Sequence, residues 1–192
     1  MKKIILSLFL FSLILAPCAF ADIWGGGTPP AVVQKGLPKT GQLTSYVDYD
    51  DGYYQKGLPL SGNRFTDNSD GTITDNATGL QWAKDGNGAG CNNGGTLAWA
   101  AAISFCKNLN FAGHTDWRLP NVKELQSIVD YELVYPAINQ TFFPNTQSDY
   151  YWSGTTYADS TGYAWFVDFY GGYVSYDDRG SGYYVRPVRS SQ

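Results

Sequence analysis

The stretch GHTDWRLPNVKEL, residues 113–125, holds the chain's only histidine and crowds Asp116, Trp117, Arg118, Lys123 and Glu124 into a few positions. Polar crowding of this kind invites a catalytic reading, but local chemistry gives a structural one. Asn121 is a good helix N-cap, and Glu124 stands three residues on, the spacing of a capping box. Val122, Leu125, Ile128 and Val129 then fall on one helical face. Pro120 fixes the chain direction just before the cap. Upstream, Gly113 stops the preceding element, and Asp116 and Arg118 are expected to pair across a buried Trp117 and pin the turn. His114 has only Asp116 near it and no nucleophile, so a loop histidine making a hydrogen bond is the simpler reading. A single histidine also excludes multi-histidine iron or zinc sites.

Working outward, Thr96 is placed to cap a helix from Leu97 to about Phe111, with Ala98, Ala102, Phe105 and Leu109 in one apolar stripe and Trp99, Ile103 and Cys106 beside it. Earlier, RFTDNSDGTITDNATGLQW (64–82) reads as strands around two turns, DNSDG and DNATG, ending at Trp82. Oxygen-bearing Asp67, Asp70 and Asp75 in that stretch could hold calcium, although hairpin turn chemistry explains them equally well. After Phe142 the pattern becomes strand, in YYWSGTTY, GYAWFVDFY, GYVSYDD and YYVRPVR, split by glycines. Trp152 lies in the first of these runs. Trp165, Val167 and Phe169 alternate with Ala164, Phe166 and Asp168, which marks one apolar face. Gly171-Gly172 makes a hairpin turn, and Pro187 implies an edge or bulge. The order of hairpin, helix, helix and antiparallel strands predicts an α+β fold with two helices packed on a twisted antiparallel sheet with long loops.

The rest of the chain sets the context. Met1-Lys2-Lys3, the apolar run IILSLFLFSLILA and the small-x-small AFA predict a signal peptide, 1–21, cut after Ala21; the run is too short to span a membrane comfortably. Cys18 in LAPC offers lipidation as a rival. Export predicts a secreted, periplasmic or cell-surface protein of bacterial type. Removing Lys2 and Lys3 leaves 11 basic against 17 acidic residues, moving the net charge from −4 to −6. Such a surface disfavours nucleic acid and anionic lipid as partners. Residues 22–62 read as a flexible tail in which QKGLPKTGQ (34–42) returns as QKGLPLSGN (55–63), extended segments able to lie on the domain of 63–192. Cys91 and Cys106 are an even pair, read as a disulfide in an oxidising compartment and otherwise as two buried thiols. Closing that loop would contribute about 3 kcal/mol.

Aromatics make up 16% of the residues, and the chain has 22 glycines, so a sheet of this size cannot bury every ring. Tyr157, Tyr163, Tyr170, Tyr173 and Tyr176, with Asp177, Asp178 and Arg179, are therefore the candidate ligand-binding residues, with Tyr183 and Tyr184 beside them. Tyrosine beside serine, glycine and aspartate is the composition of recognition loops. Trp82, Trp99, Asp116, Trp117, Arg118, Trp152 and Trp165 are assigned structural roles.

The series RFTDNSDGTITDNATGLQW, a helix bearing Trp99 and Cys106, DWRLPNVKEL, YYWSGT, AWFVDF and VRPVR resembles the Lcl C-terminal domain family over roughly residues 63–189. The resemblance implies a C-type lectin-like fold, in a superfamily where formylglycine-generating enzymes carry a comparable RLP before a helix. Relatives carry cysteine in the final motif where this chain has Pro187. The sugar-chelating tripeptides EPN and QPD of calcium-dependent lectins are absent. The implied function is a non-enzymatic binding or adhesion domain that takes a cell-surface glycan or protein, needs no cofactor and is compatible with a homo-oligomer. Alternatives are a structural envelope or fibre subunit, or an oxidase using Cys91 and Cys106.

Overall fold

A computed structural model describes residues 36–60 and 62–190; the expected signal peptide and the start of the tail lie outside the described residues. The described residues hold three short α-helices, α1 (Asp51–Tyr54), α2 (Trp99–Asn108) and α3 (Val122–Gln126). The strands are β1 (Phe65–Asp67), β2 (Thr72–Asp75), β3 (Leu80–Ala83), β4 (Tyr150–Thr156), β5 (Tyr163–Asp168), β6 (Val174–Asp178) and β7 (Val188–Ser190). The class is α+β, but the strands form two antiparallel sheets, β1-β2-β3-β7 and β4-β5-β6, where one sheet was expected.

The last strand causes the difference. β7 leaves the aromatic sheet and pairs with β3, Trp82 opposite Val188 and Gln81 opposite Arg189. Pro187 sits just before it, where its missing donor is not needed and its carbonyl accepts the Ala83 N–H. On its far side Val188 exchanges both backbone hydrogen bonds with Arg118. The RLP segment thus borders the four-stranded sheet.

The sequence places α3 well. Asn121 accepts from the Lys123 and Glu124 N–H groups, and Glu124 accepts from the Asn121 N–H at 2.8 Å, completing the capping box. Leu125, Ile128 and Val129 are buried, as its periodicity predicts. The expected Asp116–Arg118 pair is not formed. Arg118 instead holds both oxygens of Glu124 at 2.7 Å, and Asp116 accepts from Arg189 on β7 at 2.7 Å. Both ion pairs tie the turn to elements remote from it, α3 and the sheet edge.

α2 is shorter than expected and is not capped by Thr96. Leu97 is taken by a two-way backbone pairing with Tyr183, and its carbonyl also accepts the Trp152 indole N–H at 2.9 Å, so the helix cannot begin before residue 99. Its buried residues are Ala102 and Cys106. The chain leaves the helix at Leu109, and Phe111 and His114 exchange backbone bonds around Ala112 and Gly113, both at positive φ. Gly113 shapes this turn and does not end the helix.

Two apolar cores result. One gathers Ile73, Trp82, Leu125, Phe143, Val167 and Val188 between the four-stranded sheet, α3 and one part of the aromatic sheet. The other packs Ala102 and Cys106 of α2 against Leu119, Trp152, Ala164, Phe166 and Val185. Into the first is set an ion pair that sequence patterning does not reveal: Arg64 donates to both oxygens of Asp75, at 3.2 and 2.9 Å, and to the Ser127 carbonyl at 2.8 Å. Both side chains are essentially fully buried.

The expected Cys91–Cys106 disulfide is not formed; both are free, buried thiols. Cys91 lies in a 3-10 segment, Ala89–Gly94, and Cys106 on the inner side of α2, and each packs as a small apolar residue. Burial pushes Cys106 up to about 12 and raises Cys91 as well.

Residues 36–60, read as a flexible tail, lie on the domain. The two repeat copies pair with each other at Pro38 and Leu58, and the Glu132 carboxylate accepts from Leu43 N–H and the Thr44 hydroxyl, both at 2.8 Å. Gly41, at φ 98°, is required there, because a Cβ would meet the Asp130 carboxylate at 2.1 Å.

Candidate functional site

Strand periodicity divides the aromatic run 150–184 into two faces. Opposed residues of antiparallel strands share a face. Trp165 opposes Tyr176 and Tyr163 opposes Asp178, so these four side chains lie together on the side facing away from α2. Tyr157, just past β4, joins them. Its ring stacks on Tyr176 with centroids 3.9 Å apart and planes 5° apart. Trp165 stands edge-on to both rings at 5.6 Å, and Tyr163 edge-on to Tyr176 at 6.0 Å. Tyr163 and Tyr176 are 37% and 43% exposed. The Asp159 and Asp178 carboxylates border the rings, and both residues are exposed. The Tyr157 phenol is raised above its ordinary value, first by the Tyr176 phenol beside it and then by desolvation and the charge of Asp159.

The other face is occupied by the protein itself. Tyr183 packs on Trp152 at 4.4 Å, on Tyr150 at 5.1 Å and on Phe166 at 5.2 Å, and its hydroxyl donates to Asp177. Asp177 also accepts from the Ser181 hydroxyl and the Asp178 N–H, and its carboxyl is held below the usual carboxylate range, chiefly by Tyr183. Arg179 lies over the Trp99 ring at 3.9 Å and donates to the Thr156 hydroxyl at 2.7 Å. Tyr173 reaches the Tyr150 hydroxyl at 3.2 Å. Tyr170 belongs to neither face: it packs against Tyr135 at 4.2 Å, beside the exposed 131–135 loop.

The eight candidate residues therefore do not form one site. Tyr157, Tyr163, Tyr176 and Asp178 come together; Asp177, Arg179 and Tyr173 go with the opposite face, and Tyr170 lies elsewhere. Trp165, given a structural role above, is half-buried on this same face, edge-on to Tyr157 and Tyr176. The register of β5 on β6 was the missing information, since a tryptophan in an alternating strand reads as core. Of the other tryptophans named above, Trp82, Trp117 and Trp152 are buried, and Trp99 is half-buried with its indole N–H on the Ser153 carbonyl.

The calcium candidates do not converge. Asp67 pairs with Lys84, Asp70 caps Thr72 through its N–H and hydroxyl, and Asp75 is the buried partner of Arg64. His114 is half-buried and contributes its backbone to the Phe111 turn.

No curated protein matches the chain. A family model does match, over residues 71–189, which takes in β2 through β7 and both faces just described. By that match, and by the order of motifs that runs through it, the chain belongs to the Lcl C-terminal domain family.

Proposed function

We propose that this protein is an exported, non-catalytic binding domain of C-type lectin-like fold, whose ligand is a cell-surface glycan or protein. The binding surface is the ring group Tyr157, Tyr163, Trp165 and Tyr176, presented to solvent by Tyr163 and Tyr176. That group carries the reading: four large aromatics pack together on one side of a short sheet with Tyr163 and Tyr176 exposed, although Tyr151, Trp152 and Phe166 of the same sheet are buried. Rigid aromatic side chains give large contact area at low entropic cost, and their faces suit the C–H faces of sugar rings. Membership of the Lcl C-terminal domain family supports an extracellular role. The oxidase alternative calls for accessible, reactive thiols, and the burial that raises both cysteines weighs against it.

A glycan array probed with the wild type, Tyr176→Ala and Trp165→Ala tests the proposal. Binding should fall at least tenfold in both variants and stay unchanged in Tyr173→Ala, whose ring lies off this face. Equal binding by all four proteins would remove the ring group from the site.

A further inference from the structure

Resting on that reading, we propose that the ligand of the ring group is an amine-bearing saccharide, a glycan whose amino sugars are not N-acetylated and carry ammonium groups. The first ground is charge. The segment that supplies the rings of the face, residues 150–178, contains no lysine, arginine or histidine, and the exposed acidic side chains beside those rings are Asp159 and Asp178. The next base in sequence, Arg179, is spent on Trp99 and Thr156. Asp159 is exposed and close enough to raise the Tyr157 phenol, and Asp178, exposed opposite Tyr163, uses one oxygen on the Gly180 N–H at 2.8 Å and leaves the other open. Aromatic faces flanked by carboxylates attract cations twice, through the ring quadrupole and through the ion pair, and repel sulfated or uronic sugars.

The second ground is shape. Tyr157 and Tyr176 are stacked so closely that nothing can enter between them, and Trp165 closes the stack edge-on. A lysine side chain is recognised by inserting its narrow stem between rings, and this slab offers no such slot. A pyranose lies across ring edges and faces, with its C–H groups on Tyr163 and Tyr176 and its ammonium group directed to Asp178 or Asp159. Neutral hydroxyls on the same ring can share the open carboxylate oxygens.

The test is calorimetric titration of the full exported chain with a hexamer of β-1,4-linked glucosamine, its N-acetylated counterpart and a lysine-rich peptide. The glucosamine hexamer should bind at least tenfold more tightly than the acetylated one. The affinity should weaken severalfold in Asp159→Asn and in Asp178→Asn, and drop as NaCl is raised to about 0.5 M, where screening reaches only a few ångströms. Equal or tighter binding of the acetylated hexamer, still lost in Tyr176→Ala, overturns the charge assignment and leaves the ring face as the site. Preference for the peptide overturns the saccharide assignment. Binding of the glucosamine hexamer that survives Tyr176→Ala, or the absence of binding to any probe, overturns both.

Discussion

Tyr176 and Tyr183 sit seven residues apart in one aromatic run, yet the protein uses them in opposite ways. Tyr183 is wedged among Trp152, Phe166 and Tyr150, with its hydroxyl on Asp177. Tyr176 leans on Tyr157 and Trp165 and leaves 43% of itself in water. Asp177, the immediate neighbour of Tyr176, belongs to the Tyr183 side, because successive strand residues point to opposite faces. Composition therefore says little about role in this run; the strand parity of each residue, and what covers its face, decide it. α2 covers one face; on the other, α3 and the first core cover Val167, while Tyr163 and Tyr176 stand partly in water.

The comparison breaks if the inner face proves dispensable. Trp152 is fully buried, and its indole N–H holds the Leu97 carbonyl that sets the start of α2. Trp152→Ala should cost about 3–5 kcal/mol in urea unfolding, a fall in Tm of roughly 10 °C for a domain of this size. A loss under about 1 kcal/mol would mean that this side is no core.

Tyr183→Phe keeps the ring and removes only the hydroxyl that Asp177 accepts, so it should cost about 1–2 kcal/mol. Its pH dependence is more specific. The Asp177 carboxyl is lowered in the folded state, so the stabilisation is present above its unfolded value of about 4 and disappears as pH falls through the folded value. The wild type should thus lose stability more steeply than Tyr183→Phe as pH drops below about 4, and parallel curves would exclude the coupling.

What the sequence makes legible follows from the range of the interactions involved. The α3 capping box, the DNSDG hairpin and the Gly171-Gly172 turn are local, and each forms as its residues imply. The failures are non-local. Asp116 and Arg118 are charged neighbours in sequence, but their partners, Arg189 and Glu124, are supplied by a distant strand and the next helix. Thr96 has cap chemistry, but the backbone of Leu97 is claimed by Tyr183, 86 positions further on. The transfer of β7 to the other sheet, and with it the division into two cores, depends on which edge is open when the chain returns. The candidate site suffers most, since the residue list follows from composition while membership of a face needs the β5–β6 register. Trp165 is the instance: apolar and in an alternating strand, it is half-buried on the face that also carries Tyr163 and Tyr176.

Substitutions on the outer face and off both faces sharpen the contrast from the other side. Tyr176→Ala removes a stacked ring that is already half in water, so its stability cost should stay at or below about 1 kcal/mol, while ligand binding falls at least tenfold. A large loss of stability with that variant would make the ring group a packing feature and erase the distinction from Tyr183. The zero of the scale is His114, the residue that first draws attention in GHTDWRLPNVKEL. Its role in the turn is a two-way backbone pairing with Phe111, which alanine preserves. The buried member of that stretch is Trp117, whose indole N–H donates to the Phe111 carbonyl at 3.1 Å. His114→Ala should therefore move stability by no more than about 0.5 kcal/mol and leave binding unchanged. If binding is lost with His114→Ala, the functional surface lies at the turn before α3, and the tyrosine face is only the sheet's outer packing.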